Sequence, residues 1–548
     1  MNMTISGPGR RSRLIFAICC KSLLLVAGTA TGGWAASGDV SKDGRSQHAA
    51  LLPAGSDTVV VARIGNLPLT AEEFLLSFAF GPAFVKRHDN PREHHLELMV
   101  NEKLVALAGY ARGLADDPEV VSRLHEIEGD LATEELYRDD ILSQIVVEQE
   151  ELAAAIKKER LHLELQWLFA PNRTALADQL DQLSQGVPFD TLFHRQLNDS
   201  VLIANRSLAT TRFRLEASNP EMASVVDTLP PGRPSAPIAA PDGFYLVRLT
   251  SVWTNPILTQ TEQAGLQQAV QRVLRRRRAE ALSERYINDL MRQQNPVIDR
   301  QTFNLLRALL GKTVLPPEKY HAWNLRGKLL SEAGALDSLV IDRYHGQSLV
   351  RLRDDDLLLG EFWTWYQNRR PYLRCETDSP QRFFVSLKQM VWRSVRDKLL
   401  IDRARQRGLQ FRPAVRKQKQ WWEHKLVYAK MKQEMLATVH LTDEQIKEFY
   451  RQNPGRYREQ KGQIPPYEKV AEKVRQDCYA AECAKTLLRT LEILRTQYPV
   501  QVNRAALEAL PDGAAPDPRA FDLITAKTGG IFPRPAIPTI DFDWKPRP

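Results

Sequence analysis

The chain has 548 residues, too many for one hydrophobic core, so its length predicts three or four folded units. With 43% hydrophobic and 26% charged residues it has the composition of a soluble globular protein. Its net charge of +9 falls to +5 without Arg10, Arg11, Arg13 and Lys21, too little over this length to imply a nucleic-acid partner.

Residues 1–36 read as a secretory signal. Arg10, Arg11 and Arg13 form a basic start, an apolar run begins at Leu14, and small residues at Gly33 and Ala35 permit cleavage near Ala35 or Ala36. Lys21 interrupts the run, which argues against a permanent span. Ile18 precedes Cys19 and Cys20 where a lipoprotein box wants a small residue, so contact with a membrane is confined to an uncleaved signal. The implied location is the periplasm. Three cysteines then remain, Cys375, Cys478 and Cys483, an odd number that excludes a fully paired framework.

Residues 37–56, rich in Ser, Gly and Ala, read as a flexible leader. Thr58–Ile64 is a β-branched strand, Gly65-Asn66 a turn, and Thr70 to Glu73 a capping-box helix start. Leu96, Val100, Leu104, Leu107 and Ala111 mark an amphipathic helix stopped by Gly113. Helical periodicity continues over 120–144, and another helix starts near Glu148.

The stretch 161–253 changes character. Leu163–Phe169 is an apolar strand, and Leu176, Leu180 and Leu183 follow at helical spacing. Next come Phe189, Leu192 and Phe193, then Pro220-Glu221-Met222, Leu229 to Ile238 and a closing strand from Gly243 to Leu249. That order, with the segment L-x-x-G-x-x-S-x-P-I and the ending G-F-Y-L-V-R-L, resembles the parvulin family of peptidyl-prolyl isomerases. The resemblance implies a small antiparallel sheet wrapped by helices, with two catalytic histidines. By position those histidines fall on Gln166 and Tyr245, so the catalytic pair is replaced by two groups that can still donate hydrogen bonds. Met222 falls where the family has an apolar pocket residue, and Phe169 is taken with it as a peptide-binding candidate.

After Trp253 a helix runs from about Thr261 to Gln294, and Val297-Ile298 is a short strand. Residues 311–339, with Pro316-Pro317, read as a connector. A second copy follows. Lys103, Leu104, Arg112, Gly113, Leu114, Pro118 and Val120 recur 295 positions later as Lys398, Leu399, Arg407, Gly408, Leu409, Pro413 and Val415. Leu69 and Phe74 recur as Leu357 and Phe362, and Pro296-Val297 as Pro499-Val500. Only about twenty residues separate Ile446 from Pro465, too few for an inserted sheet domain, so the second copy is the helical part alone.

The fold class expected is therefore α+β and mostly α. A first helical module covers 57–160 with 254–310, the sheet domain 161–253, and a second module 340–510. A proline-rich tail, 511–548, ends the chain. Helices interrupted by an isomerase-like domain resemble the chaperone core of SurA- and PrsA-type foldases, which implies a groove for extended segments of unfolded envelope or secreted proteins. Trp363, Trp365, Tyr366, Tyr372, Trp421 and Trp422 are the aromatic residues offered for it, against the alternative that each is ordinary core. A working isomerase, and an assembly factor for one export system, stay open as other functions. His94-His95 is a poor metal pair because adjacent residues on a helix diverge. No P-loop, nucleophile elbow or zinc-spaced cysteine pair occurs, so neither cofactor nor metal is expected.

Overall fold

A computed structural model describes residues 58–81, 87, 89–198, 201–240, 242–254, 259–327, 341–370, 373–458, 463–511 and 537–541. The expected signal, leader, Tyr372 and most of the proline-rich tail lie outside these residues. The described chain is mostly helical with three small antiparallel sheets. None of its helices is long and apolar enough to cross a membrane. It forms two compact units, Ile145–Arg278 and the described parts of His48–Gln144 with Ala279–Pro548.

The chain begins with a hairpin, β1 (Val60–Ile64) and β2 (Leu67–Thr70), turned at Gly65 with φ +54°. Helices α1 (Ala71–Phe80), α2 (Pro91–Ala111) and α3 (Pro118–Asp140) follow. Thr70 caps α1 as its capping-box sequence predicts, its hydroxyl accepting from the Glu73 amide at 3.2 Å. Gly113 ends α2 in the left-handed region, φ +74°, and Asp117 caps α3.

The sheet unit opens with α4 (Gln149–Glu159) and β3 (Leu161–Ala170). It continues through α5 (Arg173–Ser184), α6 (Phe189–Arg195), β4 (Ser207–Thr211), α7 (Arg212–Ser218), α8 (Pro220–Asp227), β5 (Ile238–Ala240) and β6 (Gly243–Thr254). Its four strands run antiparallel in the order β4-β3-β6-β5. Leu163, Leu165, Trp167, Tyr245, Val247 and Leu249 point to one face and pack with Leu215, Met222 and Val226 of α7 and α8. Leu168 and Leu246 point to the other and pack with Phe189, Leu192 and Phe193 of α6.

Helix α9 (Gln260–Gln294) carries the chain to β7 (Val297–Ile298), α10 (Arg300–Val314) and α11 (Pro317–Ala322). The segment read as connector is thus helical on both sides of Pro316. Phe303, Leu306 and Leu310 gave the period for α10, and Asp299 caps it at 3.0 Å to the Gln301 and Thr302 amides. The second half repeats the first: β8 (Ser348–Arg351), β9 (Leu357–Leu358), α12 (Leu359–Arg369), α13 (Pro380–Gln406) and α14 (Pro413–Ala437). Then come α15 (Asp443–Gln452), α16 (Tyr467–Gln497), β10 (Val500–Val502) and α17 (Arg504–Glu508). Gly408, like Gly113, is left-handed, with φ +68°.

The two halves do not close on themselves. β10 of the second pairs with β1 of the first, and β7 of the first with β8 of the second. Similar hydrogen bonds cross in both sheets. Asn503 N–H donates to Val61 O at 2.9 Å as Asp299 N–H does to Leu349 O at 2.9 Å, and Gly65 N–H donates to Pro499 O at 2.9 Å as Arg353 N–H does to Gln294 O at 3.0 Å. The cores follow the strands. Val61, Ile64, Phe74, Leu96 and Leu104 pack with Leu487, Leu491, Leu494 and Leu507, while Leu349, Phe362, Leu387 and Val391 pack with Phe303, Leu306 and Leu310. At α2 and α14 the approach is so close that a Cβ on Gly109 would lie 2.6 Å from Val427 Cγ1. What the sequence presents as two modules in series is one helical unit built from interleaved halves.

This arrangement predicts that a fragment covering residues 57–310 leaves the amides of Arg63 and Gly65 unprotected, because their acceptors lie on the strand at 499–502. Adding a fragment covering 311–548 should restore protection at Arg63 and Gly65 in hydrogen exchange. Full protection in the first fragment alone would contradict it.

Candidate functional site

In the sheet unit, the register of β3 and β6 decides which side chains meet. Gln166 pairs with Arg248 and Phe169 with Tyr245, so Gln166 and Tyr245 are separated by an odd number of residues along the ladder and project to opposite faces. The two positions expected to form a catalytic pair therefore do not come together. Gln166 Oε1 accepts from the Arg248 guanidinium at 2.6 Å, and that guanidinium also pairs with Asp190 and lies 4.3 Å from the Phe189 ring centroid. The Arg248 hydrogen bond holds the Asp190 carboxyl below the usual carboxylate range. Tyr245 is 5% exposed, and its hydroxyl donates to Asp242 at 2.7 Å.

The first-strand residues that share a face with Tyr245 are Trp167, which pairs with Val247 two register positions along, and Phe169, whose ring centroid lies 5.2 Å away. Met222 is buried beside them, as a pocket residue would be. Trp167 is buried with these side chains, and an indole there offers bulk rather than a proton-transfer group. Residues 205–213 form the end of a 3-10 turn, β4 and the start of α7. The cleft of about 340 Å³ in this unit lies at the opposite end of β3, between His162, Arg214 and Trp253.

The helical unit supplies a different kind of site. Residues 537–541 lie without regular secondary structure on a groove walled by α1, α2 and α14. Ile537 packs between Leu76 and Trp421, and Ile540 enters the main core. They are 5% and 6% exposed, whereas Thr539 between them is exposed. The Asp541 carboxylate accepts from Tyr428 Oη at 2.6 Å and from Lys432 Nζ at 2.5 Å, and its backbone N–H donates to Glu102 Oε1 at 2.5 Å. Burial pushes the Glu102 carboxyl up, while Lys425, at 2.6 Å, pulls it down. Beneath the segment Lys103 pairs with Glu73 at 2.9 Å. His424, on the same wall, is held near a pKa of about 3 by burial and by Lys103, so it is neutral and acts as an acceptor or donor toward Tyr110 at 2.8 Å.

The aromatic residues offered for a binding groove divide. Trp421 is in this groove. Trp422 packs on Ile127, Leu131 and Val415, and Trp363 and Tyr366 join the core around Phe362. Trp365 donates from its indole to Asp397 at 3.0 Å and edges a wider groove of about 860 Å³ formed by α3, α12 and α13, with Val121, Leu357, Leu358 and Ile401. The segment 537–541 was legible in the sequence only as part of a tail unable to form a core. Its two isoleucines, Ile537 and Ile540, on either side of Pro538-Thr539 were the available signal for a docked strap.

Among the described residues there is no cluster of three or more His, Cys, Asp or Glu able to hold a metal ion. The chain matches no family model and no curated protein.

This geometry predicts that Gln166→Ala and Tyr245→Phe leave X-Pro isomerisation of a proline peptide at the wild-type rate. Trp167→Ala should instead lower the stability of the sheet unit by about 3–5 kcal/mol in urea unfolding, the usual cost of emptying a buried indole site. A large loss of isomerisation rate in Gln166→Ala would refute the assignment.

Proposed function

We propose that the chain is a periplasmic, ATP-independent chaperone of the parvulin-foldase type, which holds extended apolar segments of unfolded envelope or secreted proteins in its helical unit. The observation that carries this reading is the docking of Ile537–Asp541. A frame of helices here holds an irregular segment by two aliphatic side chains, one backbone N–H and one carboxylate. Contacts of that kind engage features that unfolded chains offer, aliphatic side chains and a backbone N–H, with the carboxylate adding selectivity.

The sheet unit fits the parvulin reading in its antiparallel order and its helix-covered faces. An isomerase must bind the twisted amide better than either ground state across a barrier of about 18–20 kcal/mol. With Gln166 and Tyr245 on opposite faces and Trp167 between β3 and the helices, Gln166 and Tyr245 are not a polar pair aimed at one carbonyl. We assign it to peptide binding or to spacing rather than to catalysis.

The test is aggregation of a denatured outer-membrane β-barrel protein diluted into buffer, with and without the mature chain and without nucleotide. Light scattering should fall at equimolar chaperone and be largely suppressed at a few-fold excess. Undiminished scattering at several-fold excess would overturn the proposal.

A further inference from the structure

We infer that the groove between α1, α2 and α14 is a selective peptide site for two aliphatic side chains three residues apart followed directly by a carboxylate, with Ile537–Asp541 as its resident occupant. It deepens the chaperone reading above and rests on it for the identity of the exchanging ligand, an extended client segment.

The specificity comes from where the contacts fall. Ile537 and Ile540 are buried against the groove while Thr539 between them is exposed, so the segment presents two anchors three residues apart. Pro538, between the anchors, gives up no needed donor and enters with little conformational freedom to lose. The carboxylate that follows meets an ammonium and a phenol, and its own amide meets a carboxylate. A lysine or a serine at that position would leave Lys432 facing a like charge or an unpaired neighbour.

The repeat provides an internal comparison. The same frame of helices is built a second time by α3, α12 and α13, and there the anchors are missing. Leu76 corresponds to Thr364, Trp421 to Glu126, Tyr428 to Thr133 and Lys432 to Tyr137. Glu102 corresponds to Asp397, which is 1% exposed and is engaged by Trp365 and Arg396. Building the frame therefore does not demand Leu76, Trp421, Tyr428 and Lys432. Holding the segment does.

The tether makes the occupant a competitor. Arg92 fixes the carbonyls of Leu510 and Pro511 at 2.8 Å each, and twenty-five residues separate Pro511 from Ile537. A connection of that length presents its end at an effective concentration on the order of millimolar. A free segment must therefore carry the full set of anchors to displace the tail.

The experiment uses the full mature chain and a fluorescein-labelled peptide with the sequence of residues 533–543. Anisotropy should report binding at least tenfold tighter to Ile537→Ser/Ile540→Ser, whose tail is released, than to the wild type. Asp541→Lys provides a second route to release should the double variant fail to unfold cooperatively. In the released background, Lys432→Glu should weaken the probe at least tenfold, and a probe carrying lysine at the position of Asp541 should recover that loss. No binding to either released chain, or equal binding of a probe with both isoleucines replaced by serine, would overturn the inference. Aggregation assays on the same proteins keep the two claims apart. Suppression without probe binding would sink this site alone, and probe binding without suppression would sink the chaperone reading alone.

Discussion

The helical unit depends on an exchange of closing strands between its two halves. β10 completes the hairpin of the first half and β7 that of the second, through similar hydrogen bonds. Each such bond contributes only about 0.5–1.5 kcal/mol net, so the strands alone would not impose the exchange. The helices that lead into them and the caps that follow carry their apolar faces into the same foreign core, as Leu487, Leu491 and Leu507 do in one half and Phe303 and Leu306 in the other. Opening one exchange would expose both a strand edge and a helix face, which makes the two halves a single cooperative object.

Interleaving lets one frame be used for two purposes. Helix α2 and helix α14, from different halves, approach closely at Gly109 and Val427 and make the wall on which Ile537–Asp541 lies. The corresponding wall of the other half loses the apolar anchors, with Arg369 meeting Glu126 and Asp130 where the first half has Trp421 and Lys425. Duplication preserved the packing positions and freed the groove positions to diverge. The buried ion pair of Lys103 and Glu73 joins α2 to α1; it is costly to desolvate and fixes the helices against each other rather than adding much net stability.

Much of the architecture was readable from residue patterns because it rests on local signals: the capping box at Thr70, the glycine stops at Gly113 and Gly408, and the recurrence of Lys103-Leu104 at Lys398-Leu399. The exchange was not, because a closed half and an exchanged half bury the same residues in the same pairings, and only the path of α9 and α16 distinguishes them. The site pair in the sheet unit failed for a related reason. A strand's side chains alternate, so an alignment displaced by one residue moves a position through the sheet, and Gln166 with its neighbour Trp167 illustrates the consequence. The docked strap at Ile537 was hidden because five residues carry too little pattern to announce a partner.

The exchange itself is open to a direct chemical test. Arg63 and Gln501 are exposed register partners on β1 and β10, within reach of a disulfide if both are cysteine. In a background with Cys375, Cys478 and Cys483 replaced, Arg63→Cys/Gln501→Cys should oxidise to an intramolecular bridge, seen as a mobility shift on non-reducing gels, and Arg63→Cys/Val297→Cys should remain reduced. The opposite outcome, a bridge from position 63 to position 297 and none to 501, would mean that each half closes on itself and would contradict the account.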